Sequence, residues 1–283
     1  MIKSKMKEIN IFFSTGSPKS GTTFLQMILN SHPEVSCPSE HKLDFLRLNL
    51  KKIIDIYHSI LDKMDKQTAN QGPAYFKEED FEQIIKFIVQ TAAIRGAKGR
   101  NVKWYGISDN EIITQNSMEF YYKLFPNSKF ITIVRDPRSV AVSSWYFNLR
   151  TEPGFLERRG KNKEYWCKQV AEFWYRENKG LIEFFKKHSS DVLILKYEDL
   201  KLFPFENYKK IFDFLKVNTD DELINKIIEK TSFKKFKDGK FFRKASIDEW
   251  KKELPPSGIK IIETKCAELM KYFKYEFFIY KHL

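Results

Sequence analysis

Ile9-Asn10-Ile11-Phe12-Phe13-Ser14-Thr15-Gly16-Ser17-Pro18-Lys19-Ser20-Gly21-Thr22-Thr23-Phe24 is the stretch that decides the fold. Residues 9–14 form a short apolar run of strand length. A turn rich in glycine and serine follows, and residues 21–31 then read as a helix. A strand passing through such a turn into a helix aims backbone N–H groups at one point. The positive end of the helix dipole adds to them, so the junction is suited to holding a phosphate.

Outward from this junction, strand and helix alternate. Residues 42–66 read as a long helix with apolar side chains at Leu43, Leu46, Leu50, Ile53, Ile54 and Tyr57. Residues 79–95 are helical, 102–107 form a strand, and 113–125 are helical again. A buried-type strand at 129–134 runs into Asp136-Pro137, which opens the next helix, since proline at a first turn gives up no partnered N–H. Residues 164–187 are amphipathic, with Trp166, Val170, Trp174 and Leu181 on a core face. A strand at 192–195 precedes a mostly helical remainder, broken by a basic loop near Gly239. The pattern predicts an α/β fold. A central parallel sheet is flanked by helices in a three-layer, P-loop NTPase-like sandwich. No linker divides the 283 residues, so 1–283 reads as a single domain.

Composition narrows the classes. With 42% hydrophobic and 31% charged residues, and 26 Phe and 13 Tyr, the chain can bury a core and is not disordered. A formal charge of +13 favours anionic ligands. Three scattered cysteines, Cys37, Cys167 and Cys266, suggest neither a disulfide framework nor a metal site. The first ten residues lack the apolar run of a signal peptide, and no stretch approaches the ~20 apolar residues of a membrane span. A cytoplasmic protein without stable membrane insertion is expected.

The loop Gly16-x-x-x-x-Gly21-Thr22-Thr23 is close to a Walker A turn, with one displacement. A triphosphatase carries lysine after the second glycine, to reach the β- and γ-phosphates. Here Thr22 stands there, and Lys19 lies inside the loop. A lysine so placed reaches the oxygen bridging a 5′-phosphate to a terminal group. It stabilises the charge that grows there when the bond breaks. The strand at 129–134 ends in Arg135, where a triphosphatase more typically supplies a metal-binding aspartate, so no metal is expected.

Ser17-Pro18-Lys19-Ser20-Gly21-Thr22-Thr23-Phe24 resembles the 5′-phosphosulfate loop of sulfotransferases that use 3′-phosphoadenosine 5′-phosphosulfate (PAPS). The resemblance implies that Lys19 contacts the leaving phosphate and that Pro18, Ser20, Gly21, Thr22 and Thr23 wrap the 5′-phosphate. Phe24 either stacks on adenine, as the matching aromatic does in the cytosolic branch, or packs in the core. Arg135-x₇-Ser143 resembles the family's 3′-phosphate motif, a strand-end guanidinium joined by a hydroxyl donor. Arg243-Lys244-Ala245 resembles its late Arg-Lys-Gly segment, with alanine in the glycine's place. Tyr197, in Leu195-Lys196-Tyr197-Glu198-Asp199-Leu200, lies either near adenine or at the core edge.

Sulfation of a hydroxyl needs a base. The segment from His32 to His41 resembles the family's His-Pro-x-Val region. In tyrosylprotein sulfotransferases a glutamate at the spacing of Glu40 from the loop lysine is that base, which implies Glu40 here. His41, with an ordinary pKa near 6.5, is the alternative. A role for Glu40 as a helix cap is also open. Many relatives carry Lys-Thr-Pro or Lys-Asp-Pro where this chain has Ser108-Asp109-Asn110, so the lysine that helps hold the sulfuryl oxygens is missing. Ser108 could replace it as a donor, with Asp109 a minor candidate base. The acceptor is expected to be a small-molecule, glycan or peptide hydroxyl, and not nucleic acid. Oligomeric state is left open. The competing readings are a P-loop kinase or NTPase and a non-catalytic basic module binding nucleic acid or glycan.

Overall fold

The computed structural model describes residues 9–68, 72–232 and 247–278. Arg243, Lys244 and Ala245 lie outside the described residues, so the expected late basic segment has no structural account.

The chain opens with β1 (Asn10–Thr15), which leads through the loop into α1 (Thr22–Ser31). A two-residue strand β2 (Val35–Ser36) precedes two long helices, α2 (Leu43–Gln67) and α3 (Glu78–Gly96). Then come β3 (Trp104–Ser108), a single 3₁₀ turn at Asn110–Ile113, α4 (Gln115–Leu124) and β4 (Lys129–Val134). The helices α5 (Pro137–Thr151) and α6 (Lys163–Lys187) follow, then β5 (Val192–Lys196) and α7 (Tyr197–Leu202). The remaining helices are α8 (Pro204–Phe214), α9 (Asp221–Thr231), α10 (Trp250–Glu253) and α11 (Pro256–Tyr272).

The five strands make one parallel sheet in the order β2-β3-β1-β4-β5. β1 is central and almost wholly buried, which is why its sequence is a continuous apolar run rather than an alternating one. Its residues divide between two cores. Ile11 and Phe13 join Val89, Trp174 and Ile262 from α3, α6 and α11 on one face. Phe12 faces Leu25, Ile28, Phe212 and Ile224 from α1, α8 and α9 on the other. The three-layer α/β architecture read from the sequence is thus present.

The strand order carries a functional consequence. From β1 the chain runs to one side for β2 and β3, then crosses to the other side for β4 and β5. Loops diverge at such a reversal and leave a crevice beyond the carboxyl ends of the strands.

Candidate active site

All five strand ends contribute to that crevice, a cleft of about 430 Å³. From β1 come Pro18, Lys19, Gly21, Thr22, Thr23 and Phe24. β2 leads to Glu40 and Lys42, and β3 to Asn110. β4 delivers Arg135 and, along α5, Ser143, Phe147 and Arg150, while β5 ends in Tyr197.

The loop is built on a glycine that nothing else could replace. Gly21 has φ +101°, and a Cβ there would lie 2.5 Å from Cδ2 of Tyr197. Lys19 also adopts a left-handed backbone, at φ +71°, which costs a non-glycine residue about 1–2 kcal/mol. Its carbonyl is held by Nη1 of Arg135 at 3.2 Å, so the expected 3′-phosphate residue also braces the loop. No side chain caps α1, and its first turn has no acidic residue, leaving its positive end open to an anion. Ser20 does not line the cleft: its N–H closes the turn on the Ser17 carbonyl at 3.0 Å. Its buried Oγ lacks a partner among the described residues.

The Lys19 ammonium lies over the Phe147 ring, 3.0 Å from its centroid. Burial, and then the nearby Arg150 charge, lowers its pKa to about 8, against an opposing pull from Glu40. A lysine half out of water, close to a second cation, is poised to gain from a bound anion. Behind the loop, α6 supplies two polar groups. Asn178 Nδ2 donates to Ser17 Oγ at 3.2 Å, and burial pushes the Glu177 carboxyl up to about 7.

The two residues weighed for adenine contact are both core and cleft residues. Phe24 and Tyr197 are buried, meet edge to face at 6.1 Å, and line the cleft with their remaining surface. The Arg135 guanidinium lies over the Tyr197 ring at 4.4 Å.

Glu40 reaches the cleft and pairs with Lys42 Nζ at 2.7 Å, while Lys42 also contacts Glu111 at 3.2 Å. Glu40 is not the cap of α2. Asp109 performs that task from the end of β3: its Oδ2 accepts the N–H of Asp44 at 3.0 Å, and its Oδ1 accepts that of Glu111 at 3.0 Å. Asp109 is fully buried, and burial raises its pKa. A carboxylate committed to two backbone donors and walled off from the cleft is a structural group, so its candidacy as a base fails. Ser108 is likewise buried outside the cleft, with its carbonyl accepting the His41 N–H at 2.8 Å. Asn110 is the member of that triplet that lines the cleft, and its Oδ1 has no partner among the described residues.

His41 does not line the cleft, and burial lowers its pKa. His32 is wholly buried, with Nε2 against the Asn218 carbonyl at 2.8 Å and Nδ1 accepting the Glu34 N–H at 3.1 Å, so it is a structural group. Sequence reasoning missed Lys42, Asn110, Phe147, Arg150 and Trp250 as cleft residues. A stripe through Ser139, Ser143, Phe147 and Arg150 on α5 was the signal for two of them, since these positions share one helix face.

Comparison with known proteins accords with this geometry. The sulfotransferase domain family matches residues 11–274. The chain belongs to this family. Among curated relatives, the protein-tyrosine sulfotransferase of Drosophila melanogaster is 25% identical over 229 residues, 79% of this chain and 41% of the relative. Sulfotransferase 1B1 of Canis lupus familiaris is 37% identical over 123 residues, 40% of this chain and 38% of the relative. The chain thus spans less than half of either protein. Among solved structures, mouse sulfotransferase SULT7A1 complexed with PAP superposes with a TM-score of 0.62 at 18% identity, covering 93% of this chain and 85% of that one. At that identity the likeness is one of fold, and it gives this sulfotransferase-family chain the P-loop NTPase-like architecture expected of it.

Proposed function

We propose that this chain, as a single domain over residues 1–283, is a PAPS-dependent sulfotransferase that sulfates an acceptor hydroxyl. One observation carries the reading: an ammonium at the open end of α1 shares a cleft with Arg135, Ser143 and the Glu40 carboxylate. The fit to a bis-anionic nucleotide rests on the uncapped helix start, the left-handed turn at Gly21 and the Arg135 guanidinium. The names of the relatives point the same way.

The donor supplies an activated sulfuryl group with a phosphate as leaving group. The N–H groups at the start of α1, with Thr22 and Thr23, hold the 5′-phosphate. Arg135 and Ser143 hold the 3′-phosphate, remote from the reacting centre, and so fix the position of the sulfur. Glu40 accepts the acceptor's hydroxyl proton while the acceptor oxygen bonds to sulfur. Lys19 lies at the bridging oxygen and neutralises the charge left there as its bond to sulfur breaks. Asn110, Lys42 and Arg150 also line the cleft, and in this reading they offer an amide and two cations to the sulfuryl oxygens in place of the missing family lysine. The acceptor is a small-molecule, glycan or peptide hydroxyl, and nucleic acid is not a substrate. Buried, unbridged cysteines accord with a reducing, cytoplasmic setting. No helix among the described residues is long and apolar enough to cross a membrane.

Incubation with ³⁵S-labelled PAPS and a panel of phenol, sugar and tyrosyl-peptide acceptors tests the reading. Label should move to an acceptor and survive EDTA. Binding of neither PAPS nor its desulfated product, or EDTA-sensitive turnover of ATP, would overturn it.

A further inference from the structure

We propose that Trp174 and Asn178 of α6 are positioning residues, which hold the phosphate loop in register with the Arg135 strand end and so set the spacing between the two phosphate grips. The proposal rests on the reading of the cleft as a site for a nucleotide with 5′- and 3′-phosphates.

Both residues are buried, at 0% and 1% exposure, and neither lines the cleft. They touch the two segments that do. Trp174 Nε1 donates to the Arg135 carbonyl at 3.0 Å. Asn178 Nδ2 donates to Ser17 Oγ at 3.2 Å, and the Glu177 carboxyl accepts a hydrogen bond from that same hydroxyl. Four residues apart on a helix, Trp174 and Asn178 share one face, a turn from each other. Asn178 Nδ2 also donates to the Trp174 carbonyl at 2.8 Å, which ties its side chain to the helix. The helix itself is seated in the core, where the Trp174 ring meets Phe273 edge to face at 6.1 Å.

The contacts close into a ring. Arg135 Nη1 donates to the Lys19 carbonyl at 3.2 Å, and the Ser20 N–H closes on the Ser17 carbonyl at 3.0 Å, spanning Lys19. From Trp174 the ring passes through Arg135, Lys19, Ser17 and Asn178, and returns to Trp174. Lys19 sits within it at φ +71°, and a strained residue persists only where its surroundings over-determine it. The β1–β4 ladder does not reach this far. It ends with Thr15 opposite Thr132, and both Ser17 and Arg135 lie beyond it. α6 therefore bridges the two loops where the sheet has stopped. Such a register matters to a ligand that uses both grips at once, and not to one that uses the loop alone.

Titration calorimetry on the whole chain at pH 7, with PAP and with 5′-AMP, tests this. The wild type should prefer PAP, since 5′-AMP has no 3′-phosphate. Trp174→Phe keeps a ring and drops the N–H. It should weaken PAP by about three- to tenfold, and 5′-AMP by no more than about twofold. Ser17→Ala removes a single oxygen, and Asn178→Leu removes its donor. Each should lower the ratio of PAP to 5′-AMP affinity, and the double variant no further, because both break one bond. Variants that weaken the two nucleotides equally reduce α6 to a packing role, and variants with wild-type PAP affinity leave the register to the sheet. Either result overturns the proposal. A wild type that binds PAP no better than 5′-AMP fails earlier, at the two-phosphate reading itself, and takes the proposal with it.

Discussion

Gly21→Ala is the substitution whose cost the geometry states most directly. At φ +101° an alanine backbone is strained by about 1–2 kcal/mol. Its methyl would sit 2.5 Å from Cδ2 of Tyr197 and 3.3 Å from Cδ1 of Ile133. Relief needs roughly an ångström of movement by a buried ring. That ring is held between Phe24 and the Arg135 guanidinium, so it cannot swing freely. Overpacking of this kind costs about 1–3 kcal/mol, which with the backbone strain gives about 2–5 kcal/mol. For a chain of this size a Tm lower by about 3–8 °C should follow. The same displacement tilts the start of α1 and shifts Arg135, two anchors of the nucleotide. PAP affinity should fall at least about tenfold, a loss of ~1.4 kcal/mol. Differential scanning fluorimetry reads the first effect and titration calorimetry with PAP the second. Combining Gly21→Ala with Tyr197→Leu should recover the steric part and leave the backbone part, so the two changes should cost less together than their sum. A Gly21→Ala protein with wild-type Tm and PAP affinity would refute the account of the loop.

Glu40→Gln should lower turnover by about 10²–10⁴-fold with PAP affinity unchanged, whereas His41→Ala should keep turnover within a few-fold, as read by label transfer at saturating PAPS. Lys19 is cationic below its pKa of about 8 and neutral above it, so PAP binding should be strongest below pH 8 and weaken above it by up to about tenfold per pH unit. Lys19→Met should bind more weakly and show no such limb in calorimetry run from pH 7 to pH 10. Glu177 is raised to about 7, so the folded chain holds its proton where the unfolded chain has lost it, and stability should fall as pH rises from 4.5 to 7. Glu177→Gln should remove about 2–3 kcal/mol of that decline, measured by urea unfolding at the two pH values.

Legibility in the sequence followed distance along the chain. The loop was readable because its chemistry is contiguous: Lys19, Gly21 and the start of α1 lie within a few residues, and backbone geometry alone brings them together. Arg135 and Ser143 were readable because a strand end and the next helix face keep a fixed spacing. The two apolar faces of β1 were implicit in an unbroken hydrophobic run. Asp109 and Asn110 show where this stops. They are adjacent in sequence, yet one is buried under the start of α2 and the other lines the cleft, a division set by how the turn after β3 packs on that helix. Lys42 and Arg150 share a cleft with Lys19 only because three strand ends converge at the reversal of the sheet. The apolar spacing along α2 marks it as amphipathic, but spacing does not say which apolar residues are covered. Only the packed fold decided that Leu43 and Ile54 face the core while Ile53 and Ile60 face outward. The sequence by itself determined a strand–loop–helix anion site in a parallel α/β sheet, because these are local consequences of φ, hydrogen bonding and apolar spacing. The tertiary structure decided which charges surround that anion and which apolar face remains uncovered, because both depend on contacts between elements far apart in the chain.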